Sequence, residues 1–160
     1  MTKNKLAFVS GATSGIGEAT AKILAANQWD LIISGRRLDR LNELASSLNT
    51  KYNVYVRALC FDIQQREQVK DSLASCADLL TKIDLLVNNA GLALGKSPFQ
   101  EGLESDWETM IDTNLKGLIY LTKEVIPFMI ENKSGHIVNI SSTAARDMYP
   151  GGNVYSASKS

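Results

Sequence analysis

The sequence predicts an α/β fold, a doubly wound parallel sheet, and three observations carry that prediction. Short apolar runs alternate with longer amphipathic stretches along all 160 residues, the β-α-β-α order that builds a parallel sheet. Ile83–Val87 is a continuous, largely apolar run, as expected of a strand covered on both faces. A glycine-rich turn, Ser10-Gly11-Ala12-Thr13-Ser14-Gly15-Ile16-Gly17, joins the first apolar run to the first amphipathic stretch.

The elements follow in order. Leu6 to Ser10 reads as the first strand and Gly15 to Asn27 as a helix opened by the glycine turn. Asp30 to Ser34 (DLIIS) is a second strand and Leu38 to Leu48 a second helix. Tyr52 to Leu59 gives a third strand with alternating Val54 and Val56, and Gln64 to Thr81 a helix. Ile83 to Val87 is the fourth strand, followed by a loop from Gly91 to Gly102 that holds Gly95 and Pro98. A long helix is predicted from Ser105 to Glu131, kinked at Pro127. His136 to Ser141 (HIVNIS) is the fifth strand, and Gly151-Gly152-Asn153 opens a last helix. Residues 1–160 carry no repeat, low-complexity tract or composition break, so one domain is expected.

Composition narrows the function. Hydrophobic residues make up 44% and charged residues 21%, ordinary usage for a soluble globular chain. Seventeen basic and 17 acidic residues cancel, which removes the basic excess expected of a nucleic-acid binder. Met1-Thr2-Lys3-Asn4-Lys5 leads into only a short apolar run, so no signal peptide is expected. No stretch approaches the roughly 20 apolar residues of a membrane span, so a cytoplasmic location and no membrane partner are expected. Cys60 and Cys76 fit a reducing compartment, stand in no metal-ligand spacing and read as small core residues. His136 is the one histidine, which argues against a histidine-centred triad or metal site, and no metal is expected. Trp29 and Trp107 read as packing residues.

Several motifs carry chemistry. In the glycine turn, spaced Gly-x3-Gly-x-Gly, glycines permit a tight turn and close approach of a pyrophosphate, while the helix start offers N–H donors; a purely structural turn is the alternative. Gly35-Arg36-Arg37 ends the second strand, where NAD enzymes place an acidic residue for the ribose 2′-hydroxyl. Arginine instead offers paired donors to a 2′-phosphate, which favours NADP over NAD, unless both arginines are solvated charges at a helix start. Asp62-Ile63 and Asn88-Asn89-Ala90-Gly91 follow the third and fourth strands, where a cofactor crevice opens, although such residues also make ordinary turns. Asn114 sits inside the long helix, where its side chain competes with the backbone, a hint of a buried polar role.

The last motif closes the chain as Ser142-x12-Tyr155-x3-Lys159. On one helix, Tyr155 and Lys159 share a face. A lysine ammonium beside a phenol favours the phenolate and lowers a pKa otherwise about 10, which suits acid–base work near neutral pH.

With these segments in view, the whole chain resembles the short-chain dehydrogenase/reductase family. The resemblance rests on Gly11-x3-Gly15-Ile16-Gly17, Asn88-Asn89-Ala90-Gly91, Asn114, Ser142 and Tyr155-x3-Lys159, all in family order. Finer similarity in NNAGLALG (88–95), DWETMIDTN (106–114) and GGNVYSASK (151–159) points to the NADP-dependent 3-hydroxy acid dehydrogenases that act on serine and related acids. The resemblance implies a Rossmann-type sheet and a hydride-transferring oxidoreductase using NADP. It implies Tyr155 as the proton donor or acceptor and Lys159 as the residue that tunes it and holds the nicotinamide ribose. Ser142 would hydrogen-bond the substrate oxygen, and Asn114 would order a water relay to Lys159. Residues 11–17 (Gly11, Ala12, Thr13, Ser14, Gly15, Ile16, Gly17) would hold the pyrophosphate and Arg36 and Arg37 the 2′-phosphate. Asp62 and Ile63 would meet the adenine, and Asn89 the adenosine ribose.

The implied substrate is a short 3-hydroxy acid or related alcohol and its keto form. A carbonyl or 3-oxoacyl reductase of the same family is the alternative, and an inactive fragment of such an enzyme another. Gly91 to Ser97, Thr143 to Met148 and Gly151 are expected along the substrate pocket, where Arg146 could meet a carboxylate. The resemblance also implies further strands and helices after Ser160, the chain covering roughly two thirds of the family's fold. Alone, the 160-residue chain is expected to be unstable or inactive, with its last strand an exposed sheet edge. A homodimer or homotetramer is implied at full length.

Overall fold

Strand β1 (Leu6–Val9) shows why this sheet is covered on both sides: all four of its residues are buried, and they alternate between two separate cores. Leu6 and Phe8 point into one, Ala7 and Val9 into the other, the two-residue period of a pleated strand. A computed structural model describes residues 4–160; Met1–Lys3, part of the segment for which no signal peptide is expected, lie outside the described residues.

Five strands form one parallel sheet in the order β3-β2-β1-β4-β5: β1, β2 (Asp30–Gly35), β3 (Val56–Cys60), β4 (Ile83–Asn88) and β5 (His136–Asn139). Leu6 pairs with Asp30 and with Ile83, so β1, β2 and β4 start level, whereas Val56 pairs with Leu31 and His136 with Leu85, so β3 and β5 enter one and two residues further along. Helices α1 (Gly15–Ala26) and α2 (Leu38–Tyr52) cover one face through Ala21, Ala25, Leu41, Leu44 and Leu48. Helices α3 (Arg66–Ala74), α4 (Ala77–Leu80) and α6 (Leu118–Glu131) cover the other through Val69, Leu73, Leu80, Leu121 and Val125. Each such large side chain, fully buried, stabilises the fold by about 1.5–3 kcal/mol. Strand β5 lies at one sheet edge, with Ile137 and Val138 half-buried.

Four expectations need correction. The third strand begins at Val56 rather than Tyr52, because α2 runs on to Tyr52 and stops at Asn53, which adopts the left-handed conformation. The helix expected over Gln64–Thr81 is broken into α3 and α4: Ser75 Oγ donates to Ser72 O at 2.7 Å, a local bond that competes with the helix. The long helix over Ser105–Glu131 is three pieces: α5 (Glu104–Ile111), a π-helical segment (Asp112–Gly117) and α6, which continues unbroken through Pro127. Cys76 is buried, but Cys60 is exposed: it ends β3, the other edge strand, and its Sγ faces Arg36 O at 3.6 Å. Both tryptophans pack as expected, Trp29 against the α1–α2 core and Trp107 stacked on Phe99 with ring centroids 4.7 Å apart. Among the described residues no helix is long and apolar enough to cross a membrane.

Candidate active site

The strand order reverses between β1 and β4, and in an open parallel sheet that switch point leaves a crevice beyond the carboxyl ends of the strands. A crevice of about 550 Å³ lies there. Thr13–Ile16, Gly35–Arg37 and Phe61–Ile63 line it, with Asn89–Ala93, Tyr155 and Lys159 continuing the wall.

The glycine turn is held from below. Gly11 (φ +65°) and Gly15 (φ +58°) adopt the left-handed backbone that glycine tolerates without strain. A Cβ on Gly11 would come within 2.8 Å of the Ala90 backbone, so this glycine also permits close packing. A Cβ on Gly17 would stand 2.5 Å from Gly11 O and overlap the Asn89 amide. A Cβ on Gly15 would meet nothing within 4 Å, because that position faces open crevice. Asn89 Nδ2 donates to the carbonyls of Ser10 (2.9 Å) and Gly11 (3.1 Å). Buried Ser10 Oγ accepts from the N–H groups of Asn89 (3.1 Å) and Ala90 (3.0 Å). These bonds lock the turn to the end of β4. Helix α1 begins here, and Ser14 makes no capping bond to its first turn. Those unpaired donors and the helix dipole favour an anion in the crevice.

The two arginines have different surroundings. Arg37 Nη2 donates to Thr13 Oγ1 (2.7 Å), Ser14 Oγ (3.0 Å) and Thr13 O (3.2 Å), which fastens the guanidinium to the glycine turn. Arg36 is largely exposed and faces Asp62, Nη1 to Oδ2 being 3.9 Å. Asp62 in turn accepts from Gln64 N at 3.0 Å, and buried Ile63 packs against Gly117 of the π segment.

At the opposite end the π segment positions a buried polar side chain. Asn114 exchanges two 2.8 Å bonds with Leu92, accepting from its N–H and donating to its carbonyl. Its amide also donates to Ser158 Oγ on α7 (Asn153–Lys159) at 2.9 Å. Single π turns inside α-helices are frequent at functional sites. Lys159 Nζ donates to Ile140 O at 2.9 Å, and burial pushes the Lys159 pKa below the ordinary lysine value. A Cβ on Gly91 would lie 2.8 Å from that Nζ and 3.1 Å from Asn114 Oδ1, so Gly91, Asn114 and Lys159 meet at one point.

The structure gathers most of the predicted site residues and leaves some outside. Gly11, Thr13, Ser14, Gly15, Ile16, Arg36, Arg37, Asp62, Ile63, Asn89, Tyr155 and Lys159 line one crevice. Ala12 and Gly17 are buried beneath it, and Asn114 stands behind it. Ser142 is not part of the lining; its hydroxyl accepts from Ala144 N at 3.2 Å and caps the 3-10 turn Thr143–Ala145, while neighbouring Ser141 faces the crevice. Gly91, Leu92 and Ala93 line it, whereas Leu94–Ser97, Thr143–Met148 and Gly151 do not, and exposed Arg146 faces Asp147 at 3.8 Å. Ser10 and Ile140 escaped the sequence reading as site residues. Ser10's place in the glycine motif was the available signal; a backbone carbonyl such as that of Ile140 leaves none.

The donors fit a phosphorylated dinucleotide: an open cradle over Gly15, an uncapped helix start and two guanidinium groups at the same end of the crevice. The short chain dehydrogenase family matches residues 5–160. The chain belongs to the short-chain dehydrogenase family. Within it, the chain is 46% identical over 154 residues to the NADP-dependent 3-hydroxy acid dehydrogenase YdfG of Escherichia coli K12, covering 96% of this chain and 60% of that protein. It is 43% identical over 152 residues to the serine 3-dehydrogenase of Rhizobium radiobacter, covering 95% and 59%. A solved closed form of serine dehydrogenase complexed with NADP+ superposes with a TM-score of 0.87 at 46% identity, over 96% of this chain and 60% of that one. The chain therefore spans about 60% of the length of the family members it matches.

Proposed function

We propose that this short-chain dehydrogenase is an NADP-dependent oxidoreductase that interconverts a short 3-hydroxy acid, serine or a close relative, with its keto form. One observation carries the reading: Tyr155 and Lys159 face the same crevice as the glycine turn and the two arginines. The likeness to 3-hydroxy acid and serine dehydrogenases supports the substrate class.

The nicotinamide, when bound, supplies the hydride acceptor or donor. The chain's own residues bind, orient and move the proton. The helix start at Gly15–Gly17 and the glycine-turn amides suit the pyrophosphate, and Arg36 with the anchored Arg37 suits the 2′-phosphate. Tyr155 takes the hydroxyl proton in oxidation and returns it in reduction; Ser142 lies outside the crevice lining, but its hydroxyl only accepts in its 3-10 turn and so keeps a proton to donate to a substrate oxygen. Lys159 has three donors, of which Ile140 O takes one, leaving others for the ribose and for Tyr155. A positive charge there stabilises the tyrosinate that proton removal creates. Asn114 fixes the backbone beside Lys159 and so governs the path by which the proton leaves. The free thiols of Cys60 and Cys76 accord with a cytoplasmic setting.

The test is the initial rate of NADPH formation by the intact protein with serine and unsubstituted short 3-hydroxy acids, a 3-hydroxyacyl thioester serving as comparison. Turnover of the free acids that disappears in Tyr155→Phe supports the reading. Turnover confined to the thioester, or undiminished in Tyr155→Phe, overturns it.

A further inference from the structure

Thr13 touches both of its neighbours at the phosphate end of the crevice, with different atoms. Its Oγ1 accepts from Arg37 Nη2 at 2.7 Å, while its methyl Cγ2 fills the space where a side chain at position 35 would begin. A Cβ built on Gly35 would lie 2.9 Å from that methyl, closer than carbon atoms pack, and 3.6 Å from Oγ1. Gly35 has no positive φ, so its backbone would accept a side chain; the obstacle is Thr13 alone.

The hydroxyl and the methyl share one Cβ, and a β-branched side chain moves between a few staggered rotamers. Turning Thr13 to clear a residue at position 35 would swing Oγ1 off Arg37. We infer that Thr13 is a specificity-determining residue, which sets a side chain at position 35 against the shortest of the three bonds that anchor Arg37, those to Ser14 Oγ and Thr13 O being independent of the Thr13 rotamer. The acidic residue that would serve a ribose 2′-hydroxyl at the end of β2 is thereby opposed sterically as well as by charge. The inference rests on the proposed use of NADP. It adds that the preference resides in the glycine turn as much as in the arginines.

The test is a mutant cycle read as dissociation constants for NADPH and NADH, by nicotinamide fluorescence on the intact protein. Gly35→Ala alone is expected to weaken NADPH about tenfold, the loss of one hydrogen bond to a charged group, and to leave NADH almost unchanged. Thr13→Ser keeps the hydroxyl and removes the methyl, so NADPH binding persists and Gly35→Ala in that background has little further effect. Thr13→Val keeps the shape, loses the hydroxyl and should also weaken NADPH about tenfold. Equal losses from Gly35→Ala in the unsubstituted protein and in the Thr13→Ser variant, or equal losses for both nucleotides, would overturn the inference alone. Failure of the unsubstituted protein to prefer NADPH would overturn the proposed function and this inference with it.

Discussion

Asn114 and Leu92 are joined by a reciprocal pair of 2.8 Å hydrogen bonds across 22 residues, side-chain amide to backbone amide. The pair fastens the π segment to the chain leaving β4, and the third bond of Asn114, to Ser158, carries the connection to the helix of Tyr155 and Lys159. Truncation to Asn114→Ala leaves Leu92 N and O without these partners. A cost of about 1 kcal/mol or more is expected from the loss of partners by these part-buried groups, measured by urea unfolding, together with lower kcat. Asn114→Asp keeps the acceptor for Leu92 N but loses both donated bonds, so it should not restore the wild-type stability.

Gly91 is a sharper probe of geometry, because the atoms a methyl would meet are Lys159 Nζ and Asn114 Oδ1. The lysine end is flexible, so Gly91→Ala should cost little stability while displacing the ammonium. A fall in kcat of up to about a hundredfold is expected, the order known for an ångström of misplacement. NADPH affinity should change much less. Steady-state kinetics beside a binding titration separates the two.

Lys159 also predicts a pH dependence of stability. Burial lowers its folded-state pKa beneath the unfolded value of about 10.4. Below the folded pKa it is protonated in both states and the full desolvation cost is present. As pH rises from the folded to the unfolded pKa the native state releases its proton first, the unfolded state binds more, and stability gains. Lys159→Met lacks this term. The wild-type minus variant difference in unfolding free energy should therefore rise with pH through that window, and a flat difference would count against the burial of the ammonium.

Gly117 lies in the π segment with Ile63 close against it, a Cβ there falling 2.9 Å from Ile63 Cγ2 and 3.2 Å from its carbonyl. Overpacking a tight contact costs about 1–3 kcal/mol. Gly117→Ala should lose that much by urea unfolding and weaken nucleotide binding, since Ile63 lines the crevice.

The parallel sheet was legible in the sequence because strands such as β1, β2 and β4 are short apolar runs, the pattern that burial on both faces requires, whereas such runs do not fix strand order or register. Helix ends were less so. Nothing in an apolar stripe marks the two-helix break at Ser75, which depends on a serine hydroxyl choosing its own chain. The π segment was invisible to a 3.6-residue period, although Asn114 in mid-helix hinted at the buried polar side chain that the segment carries. At the site, the glycine turn, the arginines, Tyr155 and Lys159 line one crevice; spacing placed only Tyr155 and Lys159 together, and the family resemblance implied the rest. The orientation of Ser142 toward its own 3-10 turn could not be read, since capping is decided by backbone torsions. Nor could the different settings of Arg36 and Arg37, adjacent in sequence but facing Asp62 and Thr13 respectively.

The account stands most directly on the nucleotide that enters the crevice. A fluorescence titration of the intact protein with NADPH, and with NADH as control, measures it. Saturable binding, at least about tenfold tighter for NADPH than for NADH, is the predicted result. Equal affinity for the two, or no saturable binding of either, would contradict the reading of Arg36 and Arg37 as the groups that select the phosphorylated cofactor.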